Sequence, residues 1–110
     1  YLHITEYDVG APAFEEGPTL SAIAKASVAI PVIGNGGVQT REQAQKLLDD
    51  GELDLVAVGK AALANHDWPL RAEQGDRMTS FDYDMFSPMA TLTNELAWRG
   101  MNDRPATRQR

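Results

Sequence analysis

Two glycine-bearing segments carry the residue types that could hold an anion. Gly34-Asn35-Gly36-Gly37 follows the apolar run Val28–Ile33, and Gly59-Lys60 follows the apolar run Leu53–Val58. Glycine lets the backbone come close to a ligand. A helix starting just beyond each segment would add N–H groups and a partial positive charge. Lys60 adds a full cation. Together these features describe a phosphate cup with Asn35, Gly36, Gly37, Gly59 and Lys60 as its candidate ligand-binding residues. The competing reading gives the glycines a turn-forming role only and leaves Lys60 solvated. Neither G-x-G-x-x-G nor G-x-x-x-x-G-K-[ST] occurs, so a dinucleotide fingerprint and a Walker loop are both unsupported.

Other chemistries find less support. Cysteine is absent, which excludes disulfides, thiolate catalysis and cysteine-ligated metal. His3 reads as a hydrogen-bonded structural histidine, although its strand could aim it into a barrel mouth. His66 has no second histidine at metal-ligand spacing and reads as a surface capping residue. Glu6 and Asp8 follow the first strand on the presumed ligand side, where a substrate contact competes with simple solvation. Glu15-Glu16 and Asp49-Asp50 read as exposed faces. Trp68, Phe81, Tyr83, Phe86 and Trp98 read as packing for an irregular C-terminal segment, with an aromatic lid as the alternative. No Ser/His/Asp set stands in a recognisable context, so no catalytic residue and no metal ligand is assigned.

The net charge of −6 argues against a general nucleic-acid surface, which wants a basic face. The charge is uneven: from Arg99 onward, Arg99, Arg104, Arg108 and Arg110 stand against Asp103 alone. That tail reads as a solvated terminus, or as an arm reaching an anionic ligand or a neighbouring subunit. No apolar run approaches the ~20 residues that cross a bilayer. A cytoplasmic protein without membrane contact is the expectation.

The elements that must position the two segments follow from hydrophobic pattern. Tyr1–Thr5 reads as a strand and Tyr7–Gly17 as a loop. Pro18–Ser27 is Ala-rich with Leu20, Ile23 and Ala24 at helical spacing. Val28–Ile33, interrupted only by Pro31, suits a strand buried on both faces. Thr40 and Gln43 form a capping box, Ala44, Leu47 and Leu48 form one stripe, and Gly51 suits the left-handed helix end. Leu53–Val58 is the third strand, and Ala61–Ala64 starts another helix. Asp67, Pro69 and Gly75 bracket a short helix. Ser87-Pro88 offers a further start, with Gly100 as its stop. Strands alternating with helices imply parallel pairing in chain order. The carboxyl ends of neighbouring strands then point the same way, which puts both glycine loops side by side.

The stretch IPVIGNGGVQTREQAQKLLDDGELDLVAVGKAALANHDWP, Ile30 to Pro69, resembles the C-terminal barrel region of the Old Yellow Enzyme family of NAD(P)H:flavin oxidoreductases. The opening YLHITE looks like that family's sixth barrel strand. The resemblance covers Tyr1 to Pro69, and more loosely the segment to Trp98. It rests on the glycine pair, its spacing to D-L-V-x-x-G, and the following A-N-x-D-W-P. It implies an α/β fold: the C-terminal portion of a TIM (β/α)8 barrel, about three parallel βα units followed by an irregular helical tail. It implies FMN as cofactor, NADH or NADPH as reductant, and an activated alkene as small-molecule substrate. It places the FMN phosphate on Asn35, Gly36 and Gly37, then Gly59 and Lys60. The family usually has Arg where Lys60 stands; lysine keeps the charge but loses the planar fork. The family's substrate-anchoring His/Asn or His/His pair and its proton-donating Tyr come from earlier strands, and neither Tyr1 nor Tyr7 matches them.

The expected organisation is a partial barrel over residues 1–66 and a helical extension with a basic tail over 67–110. The chain reads as part of a longer protein. Its expected partner is therefore the rest of the same polypeptide, and the fragment alone would self-associate through its open strand edges. A phosphate-binding part of a non-redox barrel isomerase or lyase, or a non-catalytic barrel fragment, are the competing functions.

Overall fold

The computed structural model describes residues 1–102. They form two compact units, Tyr1–Ser80 and the residues from Phe81 on.

In the first unit the chain runs β1 (Leu2–Thr5), α1 (Leu20–Ser27), β2 (Val32–Asn35), α2 (Arg41–Asp49), β3 (Leu55–Ala57), α3 (Lys60–Ala64) and α4 (Trp68–Gln74). The three strands form one parallel sheet in the order β1-β2-β3. This is a run of three parallel βα units, as the alternation predicts, and it fits the partial barrel that the resemblance implies. Register pairs Leu2 with Val32, Ile4 with Gly34, and Gly34 with Val56. That set faces the helices, where Ile4, Val9, Val32, Val38, Ala44, Leu47 and Leu53 make the core. Trp68 packs against the same core from α4.

The opposite face carries His3, Thr5, Ile33, Asn35, Leu55 and Ala57. No helix of this unit covers it: His3 and Thr5 are exposed, and Leu55 is 52 % exposed. The apolar run of β2 suggested burial on both faces, yet its residues alternate between buried and half-buried. In a closed barrel that second face would look inward.

Strand limits differ from expectation in one informative place. β2 begins at Val32 rather than Val28 and continues to Asn35. Pro31 lacks an N–H and leads into the strand, its carbonyl accepting from Leu2 N–H at 2.9 Å. The start of the sheet is then fixed from the side. Asp54 accepts from Lys25 Nζ at 2.6 Å and from the Val32 N–H at 2.7 Å, so α1, β2 and β3 share one carboxylate. The Lys25 contact first, and then the Val32 bond, hold the Asp54 carboxyl below the usual carboxylate range.

Helix limits follow local chemistry. Thr19 caps α1 by accepting from Ala22 N–H, and Gly51 ends α2 in the left-handed region at φ 72°. Gly75 closes α4 in the same way at φ 74°. No helix among the described residues is long and apolar enough to cross a membrane.

The second unit contains a 3₁₀ turn, Tyr83–Phe86, and α5, Leu92–Asn102. Phe81 meets Tyr83 edge-on, with ring centroids 5.0 Å apart. Glu95 is buried and pairs with Arg99 one turn on, at 2.7 Å. Ser87-Pro88 does not start the helix; its peptide bond is cis, and Thr91 caps α5 by accepting from Asn94 N–H. Gly100 does not stop it either, since α5 runs through to Asn102. Glycine inside a helix costs only ~1 kcal/mol, so the glycine alone is a weak terminator. The arginines at 104, 108 and 110 lie outside the described residues.

Candidate functional site

The site is built where β2 and β3 end. The ladder that carries β2 stops at Asn35, and the chain then turns through Gly36 at φ 142° and Gly37 at φ 69°. β3 stops at Ala57, and Gly59 leads into α3. Because the strands are parallel neighbours, both turns leave the same end of the sheet. Asn35, Gly36, Gly37, Gly59 and Lys60 all line one open concavity of about 450 Å³. The juxtaposition expected from sequence is present for all five.

The glycines differ in what they do there. A β-carbon at Gly36 would stand 2.2 Å from the Glu6 carbonyl oxygen. Gly36 is thus required by the loop after β1, and the Val9 N–H donates to its carbonyl at 3.1 Å. At Gly37 the same atom would meet Tyr7 O at 3.3 Å. At Gly59 it would meet nothing nearer than Asn35 Nδ2 at 3.9 Å. Packing therefore demands glycine at 36 and leaves room at 59, on the wall of the concavity. Room for a ligand atom beside the backbone is what a phosphate cradle requires.

The two helix starts also differ. The N-terminus of α2 is closed by its own side chains. Thr40 Oγ1 accepts from Gln43 N–H, and Gln43 Oε1 accepts from the Thr40 and Gln39 N–H groups at 3.0 and 2.8 Å. Sequence suggested free N–H groups at both helix starts; at α2 the capping box takes those of Thr40 and Gln43, and Gln43 also accepts from Gln39 just before the cap. Gly59, ahead of α3, offers no side-chain cap. The Ala62 and Leu63 N–H groups there donate to the Gly59 carbonyl, each at 3.0 Å.

Asn35 joins the two sides. Its Nδ2 donates to the Ala57 carbonyl at 2.9 Å, across from β2 to β3. Glu6, Tyr7 and Asp8 complete the near wall, with Gln39 and Gln43 beside them. Tyr7 is 97 % exposed, and Asp8 Oδ1 accepts from the Gly10 N–H in an Asx turn. The lining thus includes two acidic residues, Glu6 and Asp8, and one basic residue, Lys60. The packing of Glu6–Val9 onto Gly36 was not evident from sequence, because it joins segments about thirty residues apart.

The remaining candidates lie elsewhere. His3 is exposed on the uncovered sheet face. His66 is exposed beside Asp67, whose carboxyl is held below its usual range mainly by Arg71 Nε at 2.7 Å. Among the described residues no three His, Cys, Asp or Glu side chains are placed to hold a metal ion.

Comparison with known proteins agrees with this architecture. Residues 19–96 match the model of the dihydrouridine synthase (Dus) family. The chain is 39 % identical over 64 residues to an NADH oxidase of Thermoanaerobacter brockii, covering 56 % of this chain and 10 % of that protein. It is 42 % identical over 70 residues to an NADH:fumarate oxidoreductase of Klebsiella pneumoniae, covering 64 % and 7 %. It is 36 % identical over 52 residues to a bilirubin reductase of Mediterraneibacter gnavus, covering 47 % and 8 %. The chain spans a tenth or less of the length of these relatives, all of which are named as oxidoreductases. The chain belongs to the dihydrouridine synthase family.

Proposed function

We propose that this member of the dihydrouridine synthase family supplies the phosphate-holding end of an FMN site in an NAD(P)H-dependent oxidoreductase of the Old Yellow Enzyme type. The observation that carries the reading is the convergence of two consecutive βα loops on one concavity. One side of it has open space beside Gly59, and Lys60 is among its lining residues. Bound flavin would supply the hydride transfer between a nicotinamide and an acceptor. The chain's own residues bind and orient. Backbone N–H groups and Lys60 take the phosphate, and Asn35 and the Gly36-Gly37 turn fix the far wall. Carbonyl anchoring and proton donation need groups at fixed distance from the reacting atoms; these belong to parts of the barrel beyond the three units here. Fumarate, in the name of one relative, is an alkene activated by its carboxyl groups. An activated alkene is accordingly the proposed acceptor class.

The test is a titration of the apo-protein with FMN and with riboflavin, followed by flavin fluorescence. FMN should bind more tightly, and Lys60→Ala should remove much of the difference. A charge-assisted contact to phosphate is worth on the order of 1.5 to 3 kcal/mol, or about one to two decades in affinity. Lys60→Arg should keep FMN binding. Equal affinity for FMN and riboflavin would overturn the phosphate assignment. No flavin binding, with inorganic phosphate bound instead, would favour a phosphorylated substrate.

A further inference from the structure

We infer that Asn35 is a positioning residue, the tie that holds the two ligand loops at a fixed separation, and that it acts through Ala57 rather than by touching the ligand. The inference rests on the flavin reading for its consequence, but its geometric core stands without it. β3 is three residues long and lies at the edge of the sheet, with Leu55 half-exposed. Its backbone pairs with β2 only from Ile33↔Leu55 to Asn35↔Ala57. Beyond that register Gly36 turns the chain toward the loop after β1, where Glu6 N–H donates to the Asn35 carbonyl and Val9 N–H to the Gly36 carbonyl. The backbone of β2 is thus drawn toward β1 at the point where β3 needs a neighbour.

The Asn35 side chain adds a tie at this last register pair. Its Nδ2 donates to the carbonyl of Ala57, two residues before Gly59. One residue then holds both sides: its carbonyl ties the Gly36-Gly37 turn to β1, and its amide ties the Gly59-Lys60 turn to β2. A primary amide suits this place because it donates without carrying charge. Aspartate has no proton to give the Ala57 carbonyl at neutral pH. Leucine would fill the space and leave that carbonyl without this partner.

The experiment uses the full chain in its ligand-free form and with FMN. Amide hydrogen exchange is followed at Ala62 and Leu63, whose N–H groups both donate to the Gly59 carbonyl at 3.0 Å. Asn35→Ala should speed their exchange about three- to tenfold, the value of one neutral hydrogen bond. The amides of Ala44 and Asp50, in and just after α2, should be unmoved. FMN affinity should fall by a similar factor. Asn35→Asp should lose at least as much at neutral pH. Its Ala62 and Leu63 protection should recover as the carboxyl is protonated, because the acid form can donate to Ala57. Unchanged exchange at Ala62 and Leu63 in Asn35→Ala overturns the tie. Faster exchange with unchanged FMN affinity overturns its positioning role. If the wild-type chain binds no FMN at all, the flavin reading fails, and the exchange arm decides the tie by itself.

Discussion

Replacing Gly36 and Gly59 by alanine, one at a time, should separate the glycine that the fold needs from the glycine that the ligand needs. At Gly36 the backbone stands at φ 142°, and the added carbon would lie 2.2 Å from the Glu6 carbonyl oxygen and 2.8 Å from its carbon. That region of conformational space is essentially closed to other residues, at about 1–3 kcal/mol. Relieving the contact must also loosen the Val9 N–H bond to the Gly36 carbonyl, worth about 0.5–1.5 kcal/mol. Gly36→Ala should therefore lose about 2 to 4 kcal/mol of stability. At Gly59 φ is −109° and the nearest atom stands 3.9 Å away, so no clash arises; Gly59 is the N-cap of α3, where alanine is disfavoured, and Gly59→Ala should lose about 1 kcal/mol or less. Its methyl group would instead occupy the cup. FMN affinity should fall about tenfold or more, equivalent to ~1.4 kcal/mol or above. Urea unfolding of both variants gives the first pair of numbers, and flavin titration of Gly59→Ala gives the second. A Gly36→Ala protein as stable as wild type would refute the packing argument. A Gly59→Ala protein that binds FMN normally would refute the placement of the ligand.

Two further outcomes follow from residues away from the cup. Asp54 has its folded pKa depressed by Lys25 and the Val32 N–H, so its contribution to stability is present above the unfolded carboxylate range and is lost as pH falls below about 4. Asp54→Asn should be less stable at neutral pH and should lose less on acidification, which unfolding midpoints between pH 3 and 7 would show; parallel curves for the two proteins would contradict it. Thr40→Ala removes the cap of α2, and about 1 kcal/mol of stability should go with it, measured by urea unfolding. FMN affinity should hardly change in that variant, because the proposed phosphate contacts are at Gly59 and Lys60 and not at this helix start.

Much of this organisation was legible in the sequence because it depends on neighbours along the chain. The capping box Thr40/Gln43, the end of α2 at Gly51 and the end of α4 at Gly75 are each set by a few consecutive residues. Parallel order followed from alternation, and order alone brought the five cup residues together. What was not legible depends on pairing across the sheet. Pro31 sets the start of β2 because it has no N–H to give the ladder, while its carbonyl still accepts from Leu2 N–H on β1. The structural demand on Gly36 comes from Glu6, and the role of Asn35 comes from Ala57. The start of α5 was misplaced for a local reason. Ser87-Pro88 has the composition of a cap and first turn, but Thr91 supplies the cap.

The division of labour in the site follows from strand parity. Along β2, Val32 and Gly34 face the helices and are buried, while Ile33 and Asn35 face the other way. Gly34 belongs to the first set for a packing reason: a β-carbon there would stand 2.5 Å from Leu53 and 3.0 Å from Val9. Asn35, one residue on, must then point to the opposite face, where Ala57 lies in register. A slip of one residue would exchange the two sets, burying the amide and expelling Val32. The apolar packing of Val32, Leu47 and Leu53 thus does more than hold the helices on. By fixing parity it decides that the amide, and not an apolar side chain, stands between the two glycine turns. The position of the cup is in this sense a consequence of the core beneath it.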